Sequence, residues 1–329
     1  MPNRYDYLDV AKGIGILLVV WAHILVVGWS HRVIYAFHMP LFFFISGMLF
    51  NKDKYSSFYQ FIAARAKRLL IPYLIYSIAS WALWAGFRFV RGDEVVNYWT
   101  PLLQIILAKG SGAFIVYNSA LWFIPCLFAV EIIYYFFSRF NKWVTLFLCL
   151  LSAVVGCFFM YKYGDDYLFS LPWNLDAALY ALLFYGAANF IMQHITHKQM
   201  MNYISNNKVA SLLVIITMFG IMTFLALNFG ECSMGASSYQ CPLWCFFVRA
   251  FFGCFAMVLL CAVVGSFGLN LRTLIWCGKN SLDIMSLHIP IKGVVIILIS
   301  MLLHPTIDVE CSFLHSSFAF ILTMIIIFR

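Results

Sequence analysis

The chain has 329 residues, of which 64% are hydrophobic and only 10% are charged. Soluble domains usually carry about 25% charged residues, so this composition excludes a soluble protein, whose surface would lack polar groups. The net charge of +8 does not indicate nucleic-acid binding, because that requires basic residues clustered on a solvated face. Here the charges occupy short gaps between long apolar runs, which predicts an integral membrane protein.

Ten predominantly apolar segments are candidates to cross the bilayer, which takes about 20 helical residues. None shows the alternation of a membrane β-strand. We therefore predict an all-α bundle of about ten transmembrane helices in a single membrane-embedded domain, residues 1–329. The predicted spans are Val10–Trp29, Val33–Phe50, Leu69–Val90, Phe114–Phe137, Trp143–Tyr161, Leu175–Gln193, Val209–Asn228, Trp244–Val264, Ser281–Leu303 and Phe313–Phe328. The segment Tyr98–Ala108 is too short to cross and is predicted to be re-entrant or interfacial.

The distribution of Lys and Arg predicts the orientation, because these residues are enriched in cytoplasmic loops. With the N-terminus inside, thirteen basic residues fall in inner segments and four in outer segments. Both termini are therefore predicted to be cytoplasmic. The same topology places Cys232 and Cys241 in one outer loop, where they either form a disulfide or remain free thiols.

The first predicted span carries two ionisable side chains, which are costly in lipid and are therefore functional candidates. Lys12 and His23 are eleven residues apart, so they share one helical face at a separation of about 16 Å along the axis. Asp9 lies one turn before Lys12. This pattern combines an anion binder near the cytoplasm with a titratable imidazole in the outer half. The structural alternative is that Lys12 extends to the lipid headgroups and that His23 forms an interhelical hydrogen bond.

The second predicted span carries His38 near its outer start, at about the depth of His23 if the two helices are antiparallel neighbours. His38 is therefore either a functional partner of His23 or a structural hydrogen-bonding residue. The pair Ser46-Gly47 later in this span predicts a close approach of two helices, because small residues let backbones come together.

Three cations, Arg65, Lys67 and Arg68, precede the third predicted span and are expected to lie in a cytoplasmic loop. Such residues usually anchor the orientation of the helix. The alternative is that they bind a phosphorylated cytosolic ligand.

Further ionisable residues lie within the later spans. Asp176 opens the sixth span from the outer side, where it can orient a histidine. The remaining buried candidates are Glu131, Arg249, Asp283, His288 and Lys292. Asp283 and His288 are expected near the inner end of the ninth span. No cysteine spacing is typical of zinc, so no metal site is predicted.

Together these elements resemble the acyltransferase 3 family of ten-span membrane acyltransferases, within its sugar O-acetylase-like branch. The most specific motif is the basic residue followed eleven positions later by histidine, Lys12 to His23 within LDVAKGIGILLVVWAH. The other motifs, in the family's order, are FHMPLFFFISG, RAKRLLIPY, LWFIPCLF, PWNLDAALYALLFYGAANF and GKNSLDIMSLHIP. The family usually has Arg where this chain has Lys12. Lysine keeps the charge but lacks the bidentate fork of arginine, so anion binding is less geometrically specified here.

The resemblance implies that an acyl group, most often acetyl, moves from cytoplasmic acetyl-CoA or another acyl-CoA to a hydroxyl group. The implied acceptor is an extracytoplasmic or lipid-linked glycan, and the implied location is the bacterial inner membrane. The expected partners are thus acyl-CoA, a carbohydrate acceptor and the lipid bilayer, with no nucleic acid.

The resemblance also implies roles for individual residues. His23 is expected to act as catalytic base or as transient acyl carrier, and the residues leave both roles open. His38 and Asp176 are expected to orient His23 or to stabilise developing charge. Contacts to acyl-CoA are expected from four cationic residues, Lys12, Arg65, Lys67 and Arg68.

A transporter or flippase is the competing interpretation. In such proteins, buried His, Asp and Lys side chains form a proton or substrate path, and paired repeats with discontinuous helices are common. No internal repeat is visible in this sequence, which favours the acyltransferase.

Overall fold

The chain, represented by a computed structural model, folds almost entirely into α-helices. The structure describes residues 5–24, 28–92, 99–109, 117–163, 171–235, 238–303 and 313–328. The helices are α1 (Asp6–Ile24), α2 (Trp29–Tyr35), α3 (His38–Met48), α4 (Phe58–Arg91), α5 (Trp99–Leu107), α6 (Phe123–Phe137), α7 (Lys142–Tyr163), α8 (Leu175–His194), α9 (His197–Asn206), α10 (Lys208–Asn228), α11 (Leu243–Gly265), α12 (Arg272–Lys279), α13 (Ser281–Leu303) and α14 (Phe313–Phe328). The other described elements are three 3-10 turns, Lys52–Lys54, Ser119–Trp122 and Pro172–Asn174, and a short antiparallel pair, β1 (Cys232–Ser233) and β2 (Ser238–Tyr239).

Seven of the described helical segments are long and apolar enough to cross a membrane. They are Asp6–Ile24, Phe58–Val90, Ser119–Phe137, Lys142–Tyr163, Pro172–His194, Lys208–Asn228 and Leu243–Gly265. Each overlaps one predicted span, and α13 and α14 have the bounds predicted for the ninth and tenth spans. The all-helical, membrane-spanning class is thus confirmed. The total of ten spans and the cytoplasmic position of both termini stay predictions.

The second predicted span, Val33–Phe50, is divided between α2 and α3, so the expectation of one continuous helix is wrong. Phe37 separates the two helices with non-helical dihedral angles (φ −146°, ψ −16°). Pro40 explains the break, because proline has no N–H to donate to the carbonyl of Ala36 and its ring disfavours a continuous helix. The 11 residues of α3 rise only about 16 Å, about half of the hydrocarbon thickness.

The basic segment Arg65–Arg68 lies on a helix, so its predicted position in a loop is also wrong. α4 begins at Phe58, well before the apolar run that starts at Leu69. Ser57 caps this helix, its Oγ accepting a hydrogen bond of 3.2 Å from the backbone N–H of Gln60. A side-chain cap stabilises a helix start by about 1 kcal/mol, so the cap extends α4 beyond the part that hydropathy detects.

α1 occupies the centre of the fold, where it contacts α3, α11, α12 and α13. In the contact between α1 and α12, the two helix backbones touch each other. A Cβ atom on Gly278 would overlap the carbonyl group of Asp9, and one on Gly13 would overlap the carbonyl group of Leu274. Because only glycine leaves this space, the two helices approach more closely here than helices with larger side chains do.

α3 packs against α8 in a similar way. A Cβ atom on Gly47 would overlap the carbonyl group of Tyr185, which confirms the close approach predicted for this small-residue pair. Asn189 of α8 donates hydrogen bonds of 3.1 Å to the carbonyl oxygens of Gly47 and Phe50, at the end of α3. Tyr134 of α6 donates to the Oδ1 atom of Asn189 at 2.9 Å. This buried amide therefore joins α3, α6 and α8.

An ion pair joins α2 to the loop that follows α10. Nδ1 of His31 lies 3.0 Å from Oε1 of Glu231. The hydrogen bond from His31 lowers the pKa of Glu231 below its ordinary value of 4.5, and the positive charges of Arg32 and Arg249 act in the same direction. This loop is therefore held by an interaction that depends on pH.

Cys241, which follows β2, is disulfide-bonded. The side chain of Cys232 lies outside the described part of the structure, so its pairing with Cys241 stays a prediction. The described free cysteines all lie on helices: Cys126, Cys149, Cys157, Cys245, Cys254, Cys261 and Cys277.

Gly278→Ala is expected to destabilise the fold by about 1–3 kcal/mol, because the added methyl group overlaps the α1 backbone and forces the helices apart. Thermal unfolding of the detergent-solubilised protein measures this effect. Gly86→Ala is the matched control, since no atom lies within 4 Å of its added Cβ. Equal unfolding temperatures for the two variants would contradict close packing at Gly278.

Acidification is expected to weaken the loop ion pair. Because the folded-state pKa of Glu231 is lowered, its ionised form stabilises the fold above pH 4.5, and this contribution disappears as the pH falls below that value. The carboxylate is one-third exposed, so the contribution is below about 1 kcal/mol. The free energy of unfolding of Glu231→Gln should accordingly fall less between about pH 6 and about pH 3 than that of the wild type. A double-mutant cycle with His31→Gln tests whether the difference arises from this pair.

Candidate active site

A cavity rich in basic side chains opens at the end of the bundle where α1 begins. We call this space the basic cavity; it has a volume of about 1130 Å³ and is bounded by parts of α1, α3, α4, α6, α8 and α13. Its described lining includes seven basic residues: Lys12, Lys52, Lys54, Arg65, Arg68, Lys142 and Lys279. Three acidic residues share that lining: Asp53, Glu131 and Asp283. The excess of positive charge attracts polyanionic ligands.

Lys12 lies on the wall of the basic cavity and is held there by an acid on its own helix. Its Nζ atom is 2.8 Å from Oδ1 of Asp9, and the side chains of Lys12 and Asp9 are 18% and 6% exposed. α12 packs closely on the turn of α1 that carries this ion pair. Lys12 therefore faces the cavity, which is the position that anion binding requires.

Arg65 of α4 forms a buried ion pair with Glu131 of α6 across the basic cavity wall. Their Nη1 and Oε1 atoms are 3.3 Å apart, and the two side chains are 12% and 5% exposed. The Nε atom of Arg65 and the Oε2 atom of Glu131 have no hydrogen-bond partner within the described residues. Breaking such a pair on one side costs about 3–5 kcal/mol, so Glu131 fixes where the guanidinium of Arg65 lies.

Of the three cations predicted on this segment, Arg65 and Arg68 line the basic cavity, and Lys67 does not. Lys67 is exposed. The reason is helical geometry, because residues one or two positions apart do not share a face of an α-helix. The structure thus brings together Lys12, Arg65 and Arg68 and leaves Lys67 outside the cavity.

Three apolar side chains, Phe42, Phe123 and Met285, are among the described residues that line the basic cavity. The rings of Phe42 and Phe123 meet edge to face, with centroids 5.8 Å apart. Phe42 lies one turn after His38 on α3, and Met285 lies one turn before His288 on α13. The cavity therefore reaches to within one helical turn of His38 and His288, which are not among its described lining residues.

We call His23, His38 and His288 the histidine cluster. The imidazole rings of His23 and His288 are neighbours, with centroids 5.1 Å apart and planes tilted by 45°. His23 also interacts electrostatically with His38, as the predicted similar depth of the two residues requires. Nδ1 of His38 donates a hydrogen bond of 2.8 Å to the carbonyl oxygen of Ile34. Facing helices thus bring three titratable rings together.

Lys292 adds a positive charge beside the histidine cluster. Its Nζ atom donates a hydrogen bond of 2.7 Å to the backbone carbonyl oxygen of His23. That carbonyl belongs to the last turn of α1, where the helix has no intrahelical donor and where its dipole favours a cation. Lys292 therefore holds the end of α1 against α13.

A proline on α13 explains the local arrangement around His288. Pro290 lies inside this helix and has no N–H to donate to the carbonyl oxygen of Ser286. The buried side chain of Asn118 donates to that oxygen at 2.7 Å and to Oγ of Ser80 at 3.1 Å. Asn118 thus replaces the missing helical hydrogen bond and anchors the turn that carries His288.

Asp176 is not brought to His23. It lies at the start of α8, buried, where it interacts electrostatically with Cys126 of α6 and packs its backbone near Gly156 of α7. The groups that act on the ring of His23 are histidines and Lys292. The role of Asp176 in orienting His23 stays a prediction.

His288 and Lys292 are the residues whose place in the site the sequence did not reveal. The sequence shows both as ionisable residues within a span, and His288 lies in the motif GKNSLDIMSLHIP. From its position in the chain, His288 is expected near the inner end of its span. The packing of α13 on α1 brings His288 to His23 instead. No spacing within a single segment could have shown this pairing.

Comparison with known proteins supports the resemblance seen in the motifs. The family model Acyl_transf_3, described as an acyltransferase domain, matches residues 5–328. Comparison with curated proteins and with solved structures gave no match. The matched region includes both the basic cavity and the histidine cluster. The assignment of the chain to the sugar O-acetylase-like branch stays a prediction. The chain belongs to the acyltransferase 3 family and is a membrane acyltransferase.

Proposed function

We propose that the protein transfers an acyl group, most often acetyl, from acyl-CoA to a hydroxyl group of a glycan. The observation that carries this proposal is a basic cavity whose lining includes Phe42 and Met285, each one helical turn from a residue of the histidine cluster. This arrangement supports the proposal, because the transfer requires a site for a polyanionic donor and a reactive imidazole in the same bundle.

The basic cavity supports acyl-CoA as the donor. Coenzyme A carries several phosphate charges at one end and a thioester at the other, so a site for it needs cations at its entrance and apolar walls at depth. Arg65 and Arg68 supply guanidinium groups, which suit phosphate oxygens, and Lys12 supplies an ammonium group. Phe42 and Met285 line the apolar part.

The histidine cluster supports the chemistry of transfer. The apolar lining formed by Phe42, Phe123 and Met285 suits the uncharged end of the donor that carries the thioester. His23 then acts as the base for the acceptor hydroxyl or carries the acyl group as a nucleophile. His38 stabilises charge that develops on this ring.

The acceptor is proposed to be a carbohydrate, either at the cell surface or linked to lipid, and the protein is proposed to lie in the bacterial inner membrane. The predicted orientation supports this assignment, because it places the basic cavity on the cytoplasmic side, where acyl-CoA is made. It places His23 in the outer half of the bilayer, closer to an extracytoplasmic acceptor.

The proposal is tested by incubating the purified protein with radiolabelled acetyl-CoA and candidate glycans. Transfer of the label to a glycan with release of CoA supports the O-acyltransferase. Gradient-driven uptake of a solute into vesicles without any chemical change would instead support the transporter.

His23→Ala is expected to abolish transfer, lowering the rate by at least about 10²-fold, the minimum typical loss for a catalytic acid or base. The variant should still fold, because no described residue forms a hydrogen bond with the ring of His23. His194→Ala is the matched control, since His194 is exposed and lies outside the histidine cluster. Initial rates and unfolding temperatures are measured together, and substantial activity in folded His23→Ala would refute the assignment.

Lys12→Ala and Arg68→Ala are each expected to raise the KM for acetyl-CoA by roughly 3- to 10-fold, the equivalent of one hydrogen bond to a charged group that is partly exposed to water. The value of kcat should change less, because these residues bind the donor at a distance from the thioester. Arg272→Ala is the control, since this exposed arginine lies outside the basic cavity. An unchanged KM in both cavity variants would exclude a cationic entrance for the donor.

A further inference from the structure

The histidine cluster contains a ring nitrogen to which the proposed function assigns no role. His288 is fully buried, and its Nδ1 atom lies 2.7 Å from the carbonyl oxygen of Met285. A carbonyl oxygen can only accept, so Nδ1 carries the proton, and the Nε2 atom of the neutral ring holds a lone pair. Within the described part of the chain, this buried Nε2 atom has no hydrogen-bond partner.

An unsatisfied buried acceptor is unfavourable, typically by about 1–3 kcal/mol, and such groups in native proteins call for an explanation. The surroundings of His288 are not loosely packed, because Asn118 anchors its turn and Lys292 ties its helix to the end of α1. The free lone pair is therefore built into a well-fixed ring. A donor that arrives with the substrate accounts for it.

The ring of His288 is a neighbour of the ring of His23, at a centroid distance of 5.1 Å. The two rings are adjacent, yet they form no hydrogen bond with each other. Each ring can therefore react with a different atom: the ring of His23 with the acyl carbon, and the ring of His288 with the hydroxyl proton.

We propose that Nε2 of His288 is the base that accepts the proton of the acceptor hydroxyl, and that His23 is the acyl carrier. This inference rests on the proposed function, because it divides the two halves of that reaction between two residues. It makes His288 a catalytic residue and excludes the alternative in which His23 is the base.

A ring nitrogen of His23 attacks the thioester carbonyl carbon, a C–N bond forms, the C–S bond breaks, and CoA leaves as a thiolate that takes a proton from water. The acceptor oxygen then attacks the same carbon, a C–O bond forms, and the C–N bond breaks with its electron pair returning to His23. The hydroxyl proton passes to Nε2 of His288 and afterwards to solvent. The ester, CoA and the original enzyme are the products.

The test separates the two halves. The protein is mixed with radiolabelled acetyl-CoA without glycan, quenched rapidly, and analysed for label and for the mass of one acetyl group on the peptide that contains His23. Glycan is then added to measure transfer. The wild type should acquire the label and pass it on, and His23→Ala should acquire none.

His288→Ala is expected to acquire the label normally but to transfer it to glycan about 10²–10⁴-fold more slowly, the usual loss on removing a general base. The KM for acetyl-CoA should be unchanged. Labelling itself shows that the variant is folded. A variant that labels and transfers at wild-type rates would overturn the proposal.

His288→Asn decides the outcome if His288→Ala fails to acquire label. The asparagine amide keeps a donor for the carbonyl of Met285 but removes the Nε2 base. Labelling with slow transfer supports the proposal, whereas no labelling would show that His288 only positions His23 and would overturn it.

Failure of the proposed function looks different from failure of this inference. A wild-type protein that transfers acetyl to glycan but never carries it on His23 would overturn the inference alone. A wild-type protein that releases no CoA and acetylates no glycan would overturn the proposed function.

Discussion

The close packing of α1 against α12 is the contact on which the rest of the site depends. Glycine at positions 13 and 278 lets the two backbones touch, and that contact sets the position of Asp9 and hence of Lys12. One residue, Asn280, separates α12 from α13. The same contact therefore also determines where α13 begins along α1, and with it the level at which His288 meets His23. A single backbone contact thus positions both Lys12 at the basic cavity and His288 beside His23.

Unpaired backbone carbonyl groups explain much of the remaining architecture. In a bilayer, a carbonyl group without a donor is costly, since no water is present to replace one. Asn118 donates a hydrogen bond to the carbonyl group that Pro290 leaves unpaired. Lys292 donates one to a carbonyl group at the end of α1, and Asn189 donates one to a carbonyl group at the end of α3. These side chains hold the helices in register. The polar residues that position the site are therefore also those that complete the hydrogen bonding of broken or short helices.

Phe42 and Met285 give the basic cavity an apolar lining within one helical turn of His38 and His288. This arrangement suits a transferase, because an acyl group in transit must be kept from water until the acceptor arrives. Excluding water from a site also strengthens the electrostatic interactions within it. In the proposed function, the basic cavity is the donor side and the histidine cluster is the acceptor side of one bundle, in line with the proposed division of work between His23 and His288.

The sequence by itself determined the membrane class, the bounds of α13 and α14, the close approach at Gly47 and the presence of Lys12 and His23 on one helix, α1. Each of these follows from local properties, namely hydropathy, residue size and the period of one helix. Tertiary structure alone decided that Arg65 pairs with Glu131, that Asp176 lies away from His23, and that His288 lies beside it. These facts depend on which helices are neighbours and at what depth they cross. A linear spacing describes one helix, whereas packing between helices is set by glycine contacts and by the hydrogen bonds that buried carbonyl groups must find.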